Sequence, residues 1–239
     1  MQRISLGPRL TRIVRLAIFP ATTAWAAANR FGWLAEPPVG AEPHLGPIAI
    51  HRWRKAIAAA DVYLEYGSGG STVEAVRSAE QVISVETDGR FLAAVERKVA
   101  ETADANAAFR PLHVDIGWTE KWGRPPFPWP SPGRLARWRR YTSAPWLVLA
   151  EMNLVPDFIF VDGRFRAASV LESFLRLPDS TQCLFMLDDF ESRTKHYGIV
   201  LKFAVGVEAA DRAIVFRRDP NFDRQECAKQ LARLQANPE

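Results

Sequence analysis

Apolar positions along this chain fall into short runs that end in acids, each followed by a stretch with helical spacing. Val62 and Leu64 lead to Glu65, Val82-Ile83-Ser84-Val85 to Glu86, 108–114 to Asp115, 158–161 to Asp162, and 183–187 to Asp188 and Asp189. Short β-rich runs bounded by turn residues predict buried strands. Between them, 71–79, 88–102 and 167–177 predict helices, with Phe91, Leu92, Val95 and Val99 on one face and Val170, Leu171, Phe174 and Leu175 on another. A helix over 47–60, carrying Ile48, Ile50, Trp53 and Ile57, precedes the first strand. This alternation predicts an α/β fold with a doubly wound, mostly parallel sheet. Near the end, 203–207 and 213–216 are close enough to pair antiparallel, which places one reversed strand at the sheet edge. The closing helix from Asn221 is acidic early (Asp223, Glu226) and basic late (Lys229, Arg233), as the helix dipole prefers.

Two segments break this rhythm. In 117–150, the prolines from Pro125 to Pro132 exclude regular helix and central strand, because each removes a donor and fixes φ. This stretch reads as an insertion and a candidate substrate lid, since long loops inside compact domains tend to be functional. The helix-like run after the prolines carries Arg134, Arg137, Arg139 and Arg140 with Trp138 and Tyr141. It is either a solvated basic face that packs its aromatics or a wall that meets an anionic or aromatic substrate. The second break, Glu36-Pro37-Pro38-Val39-Gly40 with Glu42-Pro43, is a linker. It divides a basic N-terminal helical extension with its linker, 1–46, from one domain over 47–239.

Composition narrows the choices. With 239 residues, 48% hydrophobic and 24% charged, the chain can bury a full core and is too evenly mixed for disorder. Its net charge of +4 equals the excess within 1–36, where Arg3, Arg9, Arg12, Arg15 and Arg30 face only Glu36. A basic excess confined to one end argues against a nucleic-acid surface and towards an anchor, an address or a solvated arm. The charge-free stretch 16–29, interrupted by Pro20, fits three roles: a packing or peripheral-membrane helix, a cleaved signal, or a targeting arm. Cys183 and Cys227 give neither a disulfide framework nor metal-thiolate spacing. A reducing, cytoplasmic setting, with membrane-peripheral contact through 1–36, fits best.

The candidate chemistry centres on YLEYGSGGST at 63–72. Gly67, Gly69 and Gly70 let the backbone turn and approach a ligand, Ser68 lies between them, and Ser71 with Glu74 reads as a capping box. About 20 residues on, Glu86, followed by Thr87, suits a carboxylate that accepts ribose hydroxyls. Asp115 ends a third strand at the same rim. Across the sheet, Asp162, Asp188 and Asp189 would repel one another unless a cation or protons intervened. Either a hard divalent ion such as Mg²⁺ sits among them, or Asp162 touches a cofactor while Asp188 caps a loop and Asp189 is exposed. His196, eight residues past Asp188, and Asp189 are the candidate general bases.

Together the glycine turn, the acids Glu86 and Asp115, VDG at 161–163, the paired Asp188-Asp189 and the terminal strand pair resemble a class I S-adenosylmethionine-dependent methyltransferase over about residues 47–220. The resemblance implies a Rossmann-like sheet of seven strands with the last antiparallel. It places S-adenosyl-L-methionine with its methionine part over Gly67 to Gly69, its ribose on Glu86 and its adenine near Asp115. VDG followed by an acidic strand end is similar to the small-molecule O-methyltransferase branch, in which acids at these two places bind a divalent ion. That branch implies Asp162, Asp188 and Asp189 as metal ligands and O-methylation of a small molecule or glycan. The chain departs from it in having Asp188-Asp189 for Asp-Asn and Arg164 in place of a lysine after Asp162. Two other readings remain: an NAD(P)-dependent Rossmann oxidoreductase, for which the third glycine would fall at Thr72, and a non-catalytic methyltransferase-like binding module.

Overall fold

The computed structural model describes residues 21–102, 104–127 and 129–238. Their strands are β1 (Val62–Tyr66), β2 (Gln81–Glu86), β3 (Ala108–His113), β4 (Phe158–Val161), β5 (Leu184–Leu187), β6 (Ala204–Ala210) and β7 (Ala213–Arg218). They form one sheet in the order β3-β2-β1-β4-β5-β7-β6. β1 pairs in parallel with β2 and β4, β2 with β3, and β4 with β5, while β7 runs antiparallel to both β5 and β6. The doubly wound, mostly parallel sheet with its last strand antiparallel is therefore the observed fold. One detail differs from expectation. The reversed strand is not at the edge: β7 inserts between β5 and β6, with Phe216 opposite Phe185, because its inward face is apolar and that of β6 is largely exposed. Edge strand β6 is irregular instead, with Gly206 at φ 62 and a register shift between Val205 and Glu208, a common way to blunt a sheet edge.

Helices cover both faces: α1 over the described residues 21–30, α2 (Pro47–Ile57), α3 (Gly70–Ala75), α4 (Gly89–Ala100), α5 (Pro132–Glu151), α6 (Arg166–Arg176), α7 (Thr194–Tyr197) and α8 (Arg224–Leu234). Period-two alternation in the strands builds two cores. Leu64, Tyr66, Ile159, Val161, Phe185 and Leu187 face α5, α6 and α8, whereas Tyr63, Val82, Phe158, Phe160 and Met186 face α2, α3 and α4. In the first core, Phe174 of α6 meets Phe185 edge-on at 4.9 Å, and burying such a ring contributes about 1.5–3 kcal/mol.

Of the stretch 117–150, residues from Pro132 onward form the crossover helix α5, opened by Ser131, whose hydroxyl accepts from Arg134 N–H at 3.4 Å. Trp138, Tyr141, Trp146 and Leu149 of that helix enter the first core, and Arg137, Arg139 and Arg140 stay exposed. No helix among the described residues is long and apolar enough to cross a membrane. The arginines Arg3, Arg9, Arg12 and Arg15 lie outside the described residues.

Candidate active site

β1 ends at Tyr66, and the chain turns at Gly67 with φ 101. A Cβ there would lie 2.6 Å from the Cα of Gly163 in the turn after β4, so both backbone geometry and space demand glycine. Gly70 is a glycine for a different reason: the backbone carbonyl of Glu42 in the N-terminal linker occupies the place of its Cβ. The capping box read at Ser71 and Glu74 does not form. The helix begins one residue earlier, Thr72 Oγ1 accepts from Gly69 N–H at 2.9 Å, and Glu74 pairs with Arg54 at 3.1 Å. Ser71 is drawn away by Glu65.

Glu65 is fully buried on the α2–α3 side of the sheet, in line with Tyr63. Its carboxylate accepts from the hydroxyls of Ser71, Thr72 (2.5 Å), Ser84 (3.0 Å) and Tyr63 (3.3 Å). Burial pushes its pKa up to about 7, and the four hydroxyls oppose that shift only in part. Glu65 thus stitches the end of β1, the start of α3 and the middle of β2 beneath the glycine turn.

One strand away, Glu86 faces the turn directly. Its Oε1 accepts from Thr87 N–H (2.5 Å), Thr87 Oγ1 (2.9 Å) and Asp88 N–H (2.9 Å), while its Oε2 accepts from Ser68 N–H at 3.3 Å. Ser68 Oγ lies 2.7 Å from Ser84 Oγ. Burial raises the Glu86 pKa against those N–H and O–H donors. The loop between β3 and α5 sits on this corner: a Cβ on Gly123 would lie 3.5 Å from Glu86 Oε1 and collide with the Thr87 hydroxyl.

Asp115, just past β3, accepts from Gly117 N–H (2.8 Å) and pairs with Arg30 at the end of α1 (2.9 Å). Burial works to raise its pKa, but the Gly117 N–H and the Arg30 guanidinium outweigh it and hold the carboxyl below its usual value. Asn29 reaches Asp88 at 2.6 Å, and Arg90 reaches Asn29 and the Leu34 carbonyl. The described part of the N-terminal extension is therefore packed on the rim beside Glu86 and Asp115.

Across the sheet, the structure does bring Asp162, Asp188 and Asp189 together: one carboxylate oxygen from each lies within 4.8 Å of the others. The charge problem is already solved within the chain. Arg166, only 4% exposed, contacts Asp162 at 2.7 Å and Asp189 at 3.1 Å, and donates to the Asp188 backbone carbonyl at 2.7 Å. Arg212, from the β6–β7 turn, grips both oxygens of the completely buried Asp188 (2.9 and 2.8 Å) and reaches Asp189 at 3.2 Å. A divalent ion bound by all three acids would have to displace two guanidinium groups, so this donor set fits Mg²⁺ poorly. Burial raises the Asp162 pKa, Arg166 pulls it back, and Asp188 and Asp189 push it further up.

Arg166 and Arg212 are the residues that sequence reasoning missed. Arg166 had a signal, its place four residues after Asp162 in a predicted helix. Arg212 had none, because only the inward insertion of β7 brings its turn to the acids. His196 lies on α7, exposed, beyond the rim.

Neither a protein-family model nor a curated protein matches the chain. Among solved structures, a methyltransferase-like protein from Silicibacter pomeroyi matches with 28% identity and a TM-score of 0.71, covering 82% of this chain and 98% of that one. A ribosomal protein L11 methylase from Lactobacillus delbrueckii subsp. bulgaricus matches at 13% identity and TM-score 0.42, covering 72% of this chain and 77% of that one. The MycE methyltransferase of the mycinamycin pathway, solved with Mg and SAH, matches at 13% and 0.36, covering 70% and 47%. The last two add nothing about chemistry at such scores. The seven-stranded sheet with its last strand antiparallel is a methyltransferase fold, shared with the Silicibacter pomeroyi methyltransferase-like protein.

Proposed function

We propose that this chain is an S-adenosylmethionine-dependent methyltransferase acting on a hydroxyl of a small molecule or glycan. The observation that carries this is the meeting of Glu86 with the turn at Gly67 and Ser68. Oε1 is saturated by three donors, whereas Oε2 has only the 3.3 Å contact from Ser68 and retains acceptor capacity for a ribose hydroxyl. The glycine turn, Ser68 and Thr87 complete the proposed cofactor cradle, with Asp115 at its far end. When bound, the cofactor supplies an electrophilic methyl group on sulfur.

The chain's own part is to orient, to exclude water and to move one proton. Asp162 stands at the end of β4, 34% exposed and in contact with Arg166. Its raised pKa suits it to take the acceptor's hydroxyl proton near neutrality. Asp189, held by Arg166 and Arg212, and His196 are the other groups to compare with it by substitution. The loop seated on Thr87 and Glu86 is the element that would shield the transfer from water.

A thermal-shift panel of S-adenosylhomocysteine, NAD and NADP tests this reading, since a ligand that binds only the folded state raises its melting temperature. S-adenosylhomocysteine is expected to stabilise the protein. Stabilisation by NAD or NADP alone would establish the oxidoreductase reading instead, and no shift from any of the three would leave a non-catalytic module. Peripheral membrane contact through 1–36 belongs to the same proposal: Phe31 and Trp33 are exposed and meet Trp118 through Phe31, a grouping suited to the lipid interface. Failure to sediment with anionic vesicles would remove that part.

A further inference from the structure

Beside the acidic rim, and outside it, lies a pocket of about 200 Å³ lined by Arg124, Arg164, Ser192, Arg193, His196 and Tyr197. These residues come from three separate segments: the loop after β3, the turn after β4, and the 192–197 segment after β5. Arg164 decides what the pocket is for. It is 6% exposed, and among the described residues its Nε has no hydrogen-bond partner and no carboxylate pairs with it. Burying an unpaired charge is expensive, and the chain does neutralise the guanidinium next in line, since Arg166 holds Asp162 and Asp189.

Arg193 adds to the positive charge beside Arg164 and disfavours its charged form. Its own nearest carboxylate is Asp189 at 3.8 Å, an acid already claimed by Arg166 and Arg212, and it donates to the Tyr197 hydroxyl at 3.1 Å. Arg124, an exposed residue of the loop after β3, brings a third guanidinium to the lining. Arg164 is thus a buried cation with two further guanidiniums and, among the described residues, no acid of its own beside it, and an anion from outside would compensate it.

We propose that this pocket binds a phosphate-type oxyanion carried by the acceptor substrate, and so anchors that substrate beside Asp162. The inference rests on the methyltransferase reading for the word acceptor, but the anion site stands by itself. Three guanidiniums carried by three separate segments offer more donors than the two coplanar oxygens of a carboxylate can accept, and suit the three terminal oxygens of a phosphate monoester. The pocket is smaller than one for a whole drug-sized ligand. It holds a head group, and the rest of the acceptor extends toward the rim.

The test is calorimetric titration of the full chain with inorganic phosphate, phenyl phosphate and, as a control, benzoate. Parallel titrations use S-adenosylhomocysteine. Expected are saturable binding of both phosphates, weaker binding of benzoate, and at least a tenfold loss in Arg164→Met with S-adenosylhomocysteine affinity unchanged. Arg193→Gln and Arg124→Gln, at less buried positions, repeat the test should Arg164→Met not fold, and each is expected to weaken phosphate several-fold. Absence of saturable phosphate binding, or binding indifferent to all three replacements, overturns the site. Binding of inorganic phosphate with exclusion of phenyl phosphate overturns the acceptor role. Phosphate binding without S-adenosylhomocysteine binding would refute the proposed function and leave the anion site standing.

Discussion

Glu65 and Asp188 are both completely buried carboxylates at the ends of parallel strands, and the chain satisfies them in opposite ways. Four hydroxyls surround Glu65 without any cation, and burial raises its pKa to about 7. Asp188 receives the bidentate grip of Arg212 and sits against Arg166. The first arrangement tolerates a neutral, protonated acid. The second keeps its charges and distributes them over five side chains. A corner built from hydroxyls can brace a turn without projecting a field, whereas a rim of acids and guanidiniums is a fixed electrostatic surface suited to hold reacting groups.

The largest effect should come from breaking the rim. Arg166→Met leaves Asp162, Asp188 and Asp189 with Arg212 as their main counter-ion, and is expected to cost about 3–5 kcal/mol in chemical denaturation. A loss under about 1 kcal/mol would mean that solvent, not Arg166, carries the compensation.

Next comes Glu65. Its folded-state pKa of about 7 lies above the ordinary 4.5, so between those values the folded state holds a proton that the unfolded state has released. Its stabilising contribution is therefore present below about pH 4.5 and is lost as pH rises through 7. Glu65→Gln should flatten part of that fall and make the protein more stable than wild type at pH 8, by up to about 3 kcal/mol. Equal pH profiles for the two would show that the hydroxyls hold Glu65 ionised.

The smallest effect is expected where the acid is exposed. Asp115 and Arg30 are 36% and 45% exposed, and Arg30→Gln should change stability by less than about 1 kcal/mol, shrinking further in high salt. A larger, salt-insensitive loss would mean that α1 is held to the domain through this contact.

How much of this was legible in the sequence follows the same division. Local signals carried the strands, the helix over 88–102, observed as Gly89–Ala100, and the acids at the strand ends, because periodicity and turn chemistry act over a few residues. What escaped depends on contacts between distant segments. The inward place of β7 is set by its pairing with β5, and it brings Arg212 onto Asp188, 24 residues away in sequence. Ser71 reads as a cap until Glu65 is seen six residues behind it, facing the same hydroxyl. The three acids invited a cation, and the chain's own arginines supplied it. Gly70 looks like a ligand glycine in sequence, yet the linker at Glu42 is what covers it.

The most direct measurement is equilibrium titration of the EDTA-treated full chain with S-adenosylhomocysteine, comparing wild type with Glu86→Gln and Glu65→Gln. The account predicts saturable binding without added metal, at least tenfold weaker in Glu86→Gln and within about twofold of wild type in Glu65→Gln, a tenfold change corresponding to about 1.4 kcal/mol. Binding that requires Mg²⁺, or that survives in Glu86→Gln and fails in Glu65→Gln, would contradict it.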